Sequence, residues 1–335
     1  MKIKIEEIFN LFEKKTIMVI GDSMIDSYVW GKINRMSPEA PVPLLNVTKK
    51  ENRVGGAANV ALNLKAMGAK VILLSVIGDD YNSEIFFNLL KKENINSKGI
   101  LREKGRITTL KKRIISKKYF SRNYIKHHIR IDEEVISDIK IERQFISLIK
   151  KNIPQADCII LQDYNKGNLT DNVIKQVIRL AKKENIPTLC DPKNTNFYSF
   201  KNCTLVKPNL SELINGGGIK FDPQKSFEIE EATEKLRQKM SCDIVMLTMS
   251  EKGLFVKSKN SSFHIKNIER KILDVSGAGD TVISIAALCL SQETTLKFMG
   301  FLSNLAGGIV CEESGVIKIN KSKLFEEALK NYTDE

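Results

Sequence analysis

Short runs rich in isoleucine, valine and leucine recur along the chain, with amphipathic segments between them. Residues 16–21, 71–77, 158–162, 188–190, 204–206 and 244–248 are apolar at successive positions, as strands buried on both faces require. Residues 57–67, 83–94, 171–184, 229–240 and 282–290 repeat their apolar positions at helical spacing. Strands and helices alternating in this way predict an α/β fold, with a mostly parallel central sheet flanked by helices.

Two stretches interrupt the alternation. Residues 27–53 contain Pro38, Pro41 and Pro43, and residues 99–134 contain ITTLKKRIIS and HHIRID, which alternate polar and apolar positions like strands with one solvated face. Both follow early strands, so they are expected to meet as a small antiparallel β-sheet beside the main one, a natural lid. No internal repeat or low-complexity linker divides the chain, which reads as one domain over 1–335.

Composition narrows the classes. At 335 residues and 42% hydrophobic, the chain can bury a large core. Its longest apolar runs, 71–77 and 282–290, fall short of the roughly 18 residues a membrane-spanning helix needs. The opening MKIKIEEIFNLFEKK mixes charges and lacks the apolar centre of a secretory signal, so a cytoplasmic protein without a membrane partner is expected. Lys+Arg 53 against Asp+Glu 40 leaves a net charge of +13. The basic residues are spread along the whole chain without aromatic interleaving, which points to anionic small molecules and not to nucleic acid. Cys158, Cys190, Cys203, Cys242, Cys289 and Cys311 have neither CxxC nor zinc-type spacing and read as buried thiols.

Candidate chemistry concentrates in three segments. In Asp274-Val-Ser-Gly-Ala-Gly-Asp-Thr281, two glycines and an acid open an apolar helix. The amides of Gly277, Ala278 and Gly279 then face outward at a helix N-terminus and form an anion hole, while Asp280 is placed to take a proton from an attacking hydroxyl. The same residues also suit a tight turn with Asp280 as a helix cap. Arg53-Val-Gly-Gly-Ala-Ala-Asn59 opens another helix; Gly55 and Gly56 permit close approach and Asn59 suits sugar hydroxyls, although plain helix–strand packing explains the same small residues. Gly21-Asp-Ser-Met-Ile-Asp26 follows the first strand, at the sheet edge where ligands bind in open α/β folds, and offers Asp22 and Asp26.

GGAANVA near the start and DVSGAGDT near the end resemble, in order and separation, the two signatures of the PfkB/ribokinase-type carbohydrate kinases. QDYNKG at 162–167, CDPK at 190–193, PNLSE at 208–212 and LTMSEKG at 247–253 fall where that family places its further motifs. The stretch GDSMIDSYVWGKINRMSPEAPVPLLNV resembles more narrowly a branch that phosphorylates a heptose 7-phosphate in ADP-heptose and lipopolysaccharide precursor synthesis. The resemblance implies a ribokinase-like fold and an ATP-dependent kinase using Mg²⁺, with a monovalent cation as a further candidate. It implies Asp280 as the base beside the anion hole of Gly277, Ala278 and Gly279. Asn209 and Glu212 would organise Mg²⁺ through water, though they also suit a capping box. Thr248, Ser250, Gly253 and Asn304 would contact the nucleotide. For the sugar it implies Asp22, Gly55, Gly56 and Asn59, with Lys166, Lys193 and Arg113 as candidate cations for the 7-phosphate or as solvated surface charges.

The chain departs from that branch in a longer stretch at 111–132 and in His127-His128, where two glutamines are common; adjacent strand residues face opposite sides, so the two histidines are not expected to share a ligand. Dimerisation through the lid sheet is a further expectation. With no second nucleotidyltransferase-like segment before Glu335, the chain reads as a stand-alone kinase served by a separate adenylyltransferase. A kinase for another sugar, or a silent nucleotide- or sugar-binding regulator, are the alternative readings. A Rossmann dehydrogenase is the weakest of the alternatives, because no GxGxxG follows residues 16–21.

Overall fold

A computed structural model describes residues 4–117 and 125–333. Thirteen strands are seen among them. The chain runs α1 (Ile5–Phe12), β1 (Thr16–Gly21), β2 (Ser23–Met36), β3 (Pro43–Gly56), α2 (Ala57–Ala66), β4 (Lys70–Gly78), α3 (Tyr81–Lys92), β5 (Ile100–Glu103), β6 (Leu110–Lys117) and β7 (Ile125–Glu133). It continues with α4 (Glu142–Asn152), β8 (Cys158–Gln162), α5 (Asp171–Lys183), β9 (Thr188–Asp191), β10 (Leu205–Val206), α6 (Leu210–Asn215), α7 (Ser226–Met240) and β11 (Ile244–Thr248). β12 (Leu254–Ser258), β13 (Ser262–Ile265), α8 (Ala278–Leu290), α9 (Leu296–Val310) and α10 (Lys321–Asn331) complete it.

Nine strands form the main sheet in the order β13-β12-β11-β10-β9-β8-β1-β4-β5. β11 back to β5 are parallel, and β12 and β13 add an antiparallel hairpin at one edge. Helices cover both faces, so the apolar strands lie between two cores. One, on α2, α8 and α9, includes Ile17, Val19, Val60, Ile285 and Leu302; the other, on α4, α5 and α7, includes Met18, Ile20, Phe145, Val177 and Leu236. This is the α/β arrangement expected from the alternation, in the ribokinase-like form that the resemblance implies. No helix among the described residues is long and apolar enough to cross a membrane.

The two insertions do meet, as a four-stranded sheet ordered β3-β2-β6-β7. Its outer pairs are antiparallel, and β2 and β6 join the two hairpins in parallel register. The second insertion contributes only from Leu110 onward. Its first strand, β5, pairs with β4 at the edge of the main sheet instead, because Ile100 is buried there. Residues 118–124, inside the stretch where the chain departs from the heptose branch, lie outside the described residues.

Period-two alternation then assigns faces. Asp26 and Tyr28 on β2 stand beside Lys111 and Arg113 on β6, and all four project to one face, where Lys111 lies beside the Tyr164 ring. Ile129 and Ile131 on β7, 57% and 43% exposed, line the opposite face.

Candidate active site

The site lies at the carboxyl ends of β1, β8 and β9, where each strand delivers a carboxylate. Asp22 is fully buried, and its Oδ1 accepts from the amide and side chain of Asn168, at 3.1 and 2.9 Å. Its Oδ2 accepts from the amides of Tyr164 and Lys166, at 2.9 and 3.0 Å. All four acceptor positions of this carboxylate are therefore committed to the loop after β8. Asp22 shapes the site from behind, and a sugar hydroxyl has no lone pair left to meet, contrary to the expectation for this residue.

Asp163 does similar work between loops: its oxygens accept from the amides of Asn165 and Lys193, at 2.7 and 3.2 Å. Burial and the neighbouring Asp22 charge push it up to about 7. The two loops thus held carry Tyr164 and Lys193 into the site.

Asp280 is the centre of the arrangement. It stands in the first turn of α8, 3% exposed, and accepts three hydrogen bonds. Tyr164 Oη donates to Oδ1 at 2.6 Å, Gln162 Nε2 to Oδ1 at 3.2 Å and Asn59 Nδ2 to Oδ2 at 2.8 Å. Burial raises the carboxyl to about 6, against the bonds from Asn59 and Tyr164, which favour the anion. The Tyr164 hydroxyl is held well above its ordinary range by burial and by Asp280, so it remains a donor. An ionised Asp280 keeps one unfilled acceptor position, oriented by three fixed donors.

Gly277 precedes α8 with φ +82°, a left-handed conformation that suits glycine, and a Cβ there would stand 3.1 Å from Asn59 Nδ2. No side chain caps this helix. Of the three amides expected in the anion hole, that of Ala278 instead donates to the Val275 carbonyl at 3.2 Å; those of Gly277 and Gly279 have no acceptor among the described residues. The predicted hole is therefore narrower by one donor. Sequence reasoning missed the group beneath it: Lys207, buried at the end of β10 and 3.0 Å from Asp191, with its Nζ 3.6 Å from where a Gly279 Cβ would stand.

A cavity of about 470 Å³ opens from Asp280 along the α8 N-terminus. Asn209, Glu212, Thr248, Ser250, Gly253 and Asn304, the residues the resemblance implies for Mg²⁺ and the nucleotide, all line it. Asn209 and Glu212 also form the capping box of α6: Asn209 Oδ1 accepts from the Glu212 amide and Glu212 Oε2 from the Asn209 amide. Lys193, expected at the sugar phosphate, lines this cavity too. Its ammonium pairs with the other Glu212 oxygen and lies 5.4 Å from the Tyr164 ring centre. Burial pulls Lys193 down, but Asp191, Glu212 and Asp280 outweigh it and hold the ammonium above the usual lysine range. Open backbone donors, Lys207 and a carboxylate along one cavity fit a polyphosphate with its divalent cation. Among the described residues no three His, Cys, Asp or Glu converge to hold a metal by themselves.

Arg113 is engaged with Asp26 and lies over the Tyr28 ring, and Lys166 lies 2.8 Å from Glu134. Gly55 and Gly56 admit protein, not ligand: a Cβ on Gly55 would collide with the Asp26 carboxylate and one on Gly56 with the Asp22 carbonyl. The adjacent histidines part company. His128 Nε2 meets Ser116 Oγ at 2.7 Å, while His127 Nε2 lies 3.8 Å from Asp274, the first residue of the glycine-rich segment. All six cysteines are free and buried.

The model of the pfkB family carbohydrate kinases matches residues 14–323. The chain is 36% identical over 303 residues to the "Bifunctional protein HldE" of Helicobacter pylori (strain P12), covering 90% of this chain and 64% of that protein. It is 36% identical over 327 residues to the protein of the same name from Campylobacter jejuni (strain RM1221), covering 95% and 67%. The chain thus spans about two thirds of the length of the curated relatives it matches. Solved structures of similar fold include phosphofructokinase-2 from Escherichia coli in complex with potassium, at a TM-score of 0.73 and 17% identity over 93% of this chain and 98% of that one. Ribokinase from Arabidopsis thaliana complexed with ribose and ATP gives 0.70 and 15%, over 93% and 99%.

Proposed function

The chain belongs to the pfkB family of carbohydrate kinases, and on that premise we propose that this ATP-dependent sugar kinase phosphorylates the anomeric hydroxyl of D-glycero-β-D-manno-heptose 7-phosphate, giving the 1,7-bisphosphate. The observation that carries the reading is Asp280, a buried carboxylate held by Asn59, Tyr164 and Gln162 at the mouth of an uncapped helix. The motifs shared with the heptose branch, and relatives named HldE, support the choice of sugar.

In this mechanism the free acceptor position of Asp280 takes the proton of the 1-hydroxyl as its oxygen attacks the terminal phosphorus of ATP, and the bond from that phosphorus to the bridging oxygen breaks to release ADP. The Gly277 and Gly279 amides and Lys207 meet the charge that spreads over the phosphoryl oxygens. Mg²⁺, when bound, neutralises the polyphosphate and keeps most of its waters. Glu212 and Asn209 would orient those waters, and Thr248, Ser250, Gly253 and Asn304 would hold the nucleoside. A monovalent cation is a further candidate cofactor. The small sheet, inserted beside the site, serves as the lid that excludes water as an alternative acceptor.

The uncovered apolar residues Ile129 and Ile131 on its outer face suit a second copy of the chain; light scattering that returns a monomer at working concentration removes that pairing. An adenylyltransferase activity would use the product.

The test is an ADP-release assay with ATP and Mg²⁺, comparing the heptose 7-phosphate with ribose, fructose and their phosphates, with the product followed by phosphorus NMR. A 1,7-bisphosphate formed from the heptose alone is the expected result. Turnover of a different sugar only would discard the heptose and leave the Asp280 mechanism standing.

A further inference from the structure

Ser314, Gly315 and Val316, in the loop between α9 and α10, stand between the small sheet and the glycine-rich opening of α8. Two residues of the small sheet hold them. The Tyr28 hydroxyl accepts from the Val316 amide at 2.8 Å, and Arg53 Nη1 donates to the carbonyls of Ser314 and Val316, at 2.9 Å each. Tyr28 is fully buried, with the Arg53 guanidinium 5.0 Å from its ring centre. Arg53 is fixed in turn by Glu51, which also accepts from Trp30 Nε1 at 3.3 Å. Gly315 adopts φ +71°, and a Cβ there would stand 2.8 Å from the Tyr28 ring, so the loop is moulded on the tyrosine.

The far side of the loop meets Gly277 along two routes. The Gly315 amide donates to Asp274 Oδ2 at 2.9 Å, and Asp274 Oδ1 accepts from the Ser276 amide, also at 2.9 Å, one residue before Gly277. The Val316 side chain itself stands 3.4 Å from where a Gly277 Cβ would be. The Gly277 N–H lies in the peptide plane it shares with Ser276, so the groups that fix Ser276 and flank Gly277 set the direction of that open donor. Neither Tyr28 nor Arg53 lines the cavity that opens from Asp280, and any influence they have on the reacting phosphate passes through this loop.

We propose that Tyr28 and Arg53 are positioning residues for phosphoryl transfer: by holding residues 314–316 against Asp274 and Gly277, they aim the Gly277 amide at the transferred group from the small sheet, on the opposite side of the loop. This rests on the reading of Gly277 as a donor to the phosphoryl oxygens and deepens it. ATP in its ground state gains little from the alignment, whereas the contact of an aimed donor strengthens as charge develops on the phosphoryl oxygens. Loss of the alignment therefore falls on the transition state.

The experiment compares wild type with Tyr28→Phe, Arg53→Met and Arg53→Lys in three measurements. These are kcat and KM for sugar phosphorylation, the slow hydrolysis of ATP by water without sugar, and calorimetric titration with Mg²⁺ and ADP, with and without aluminium fluoride as a mimic of the transferring phosphoryl group. Tyr28→Phe keeps the ring against Gly315 and removes only the acceptor of the Val316 amide. It is expected to lower kcat and hydrolysis by the same factor, roughly 10-fold, and to weaken the aluminium fluoride complex to match. ADP affinity, the number of binding sites per chain and the acceptor KM should stay within a few-fold of wild type. Arg53→Met should act likewise, and Arg53→Lys, which keeps a donor, should recover part of the loss. A loss confined to the sugar reaction or to the acceptor KM, or fewer binding sites with unchanged activity per site, overturns the proposal. A wild type that binds ADP no more tightly with aluminium fluoride retires the Gly277 anion hole and the positioning with it. Fluoride-enhanced binding in wild type, with all variants unaltered, retires the positioning alone and leaves the kinase.

Discussion

Asn59 donates to Asp280 over 2.8 Å across 221 residues of chain, and the contact is buried. Each residue stands in the first turn of a helix opened by glycines, and the two helices, α2 and α8, pack together along their small residues. The Asn59 carbonyl in turn accepts from Asn63, whose Oδ1 receives the Ile319 amide. The glycine-rich openings thus close around one carboxylate, and its orientation is inherited from the packing of two helices.

Asp280→Asn keeps the shape of that carboxylate and removes its basicity. Phosphoryl transfer should fall by roughly two to four orders of magnitude while ATP binding stays near wild type. Single-turnover rates beside a calorimetric ATP titration check this; a variant with near-normal turnover excludes Asp280 as the base.

Because the base acts as an anion and its carboxyl is raised to about 6, kcat should fall as pH drops through 6. Tyr164→Phe removes a donor that favours the anion, so the acidic limb should move to higher pH and the loss should be larger at pH 6 than at pH 8. A pH–rate profile of both proteins decides it. An unmoved limb means that Tyr164 does not tune the base.

Asp22→Ala would strand four buried donors of the loop that carries Tyr164 and Lys166. A stability loss of about 3 to 5 kcal/mol is expected, well above what a surface hydroxyl-binding residue would cost. Urea unfolding measures it. A variant of native stability with only a raised KM would return Asp22 to the sugar.

Gly277→Ala places a side chain at φ +82° and a Cβ against Asn59. The backbone conformation costs about 1 to 2 kcal/mol, and displacement of Asn59 loosens Asp280. Lower thermal stability together with reduced kcat is the expected pair of results; either without the other separates the turn from the base.

The central sheet was legible because its strands are buried on both faces, so residues 16–21, 158–162 and 244–248 announce themselves as apolar runs. The convergence of the short motifs was legible too, since the residues they single out do line one cavity. What escaped was set by contacts between distant segments. Tyr164 sits inside a motif that was noticed, yet its tie to Asp280 depends on how Asp22 and Asp163 fold the loop. Lys111 is one of many lysines in a basic run, and only the parallel register of β2 with β6 turns it inward. Asp22 illustrates the opposite error: a carboxylate at a sheet edge promises ligand, but here the loop claims it first.

The small sheet joins the main body with almost no slack. β2 begins at Ser23, two residues after β1 ends, and β3 runs to Gly56, immediately before α2. Its base is thus anchored between Asp22, which shapes the Tyr164 loop, and the helix that carries Asn59. The hairpin is therefore tied at both of its ends to residues that set the surroundings of Asp280, Asp22 through the Tyr164 loop and Asn59 through α2. On the function proposed above, an acceptor that displaced this hairpin would displace Asp22 and Asn59 with it, and the fit of the sugar would be felt in the orientation of Asp280.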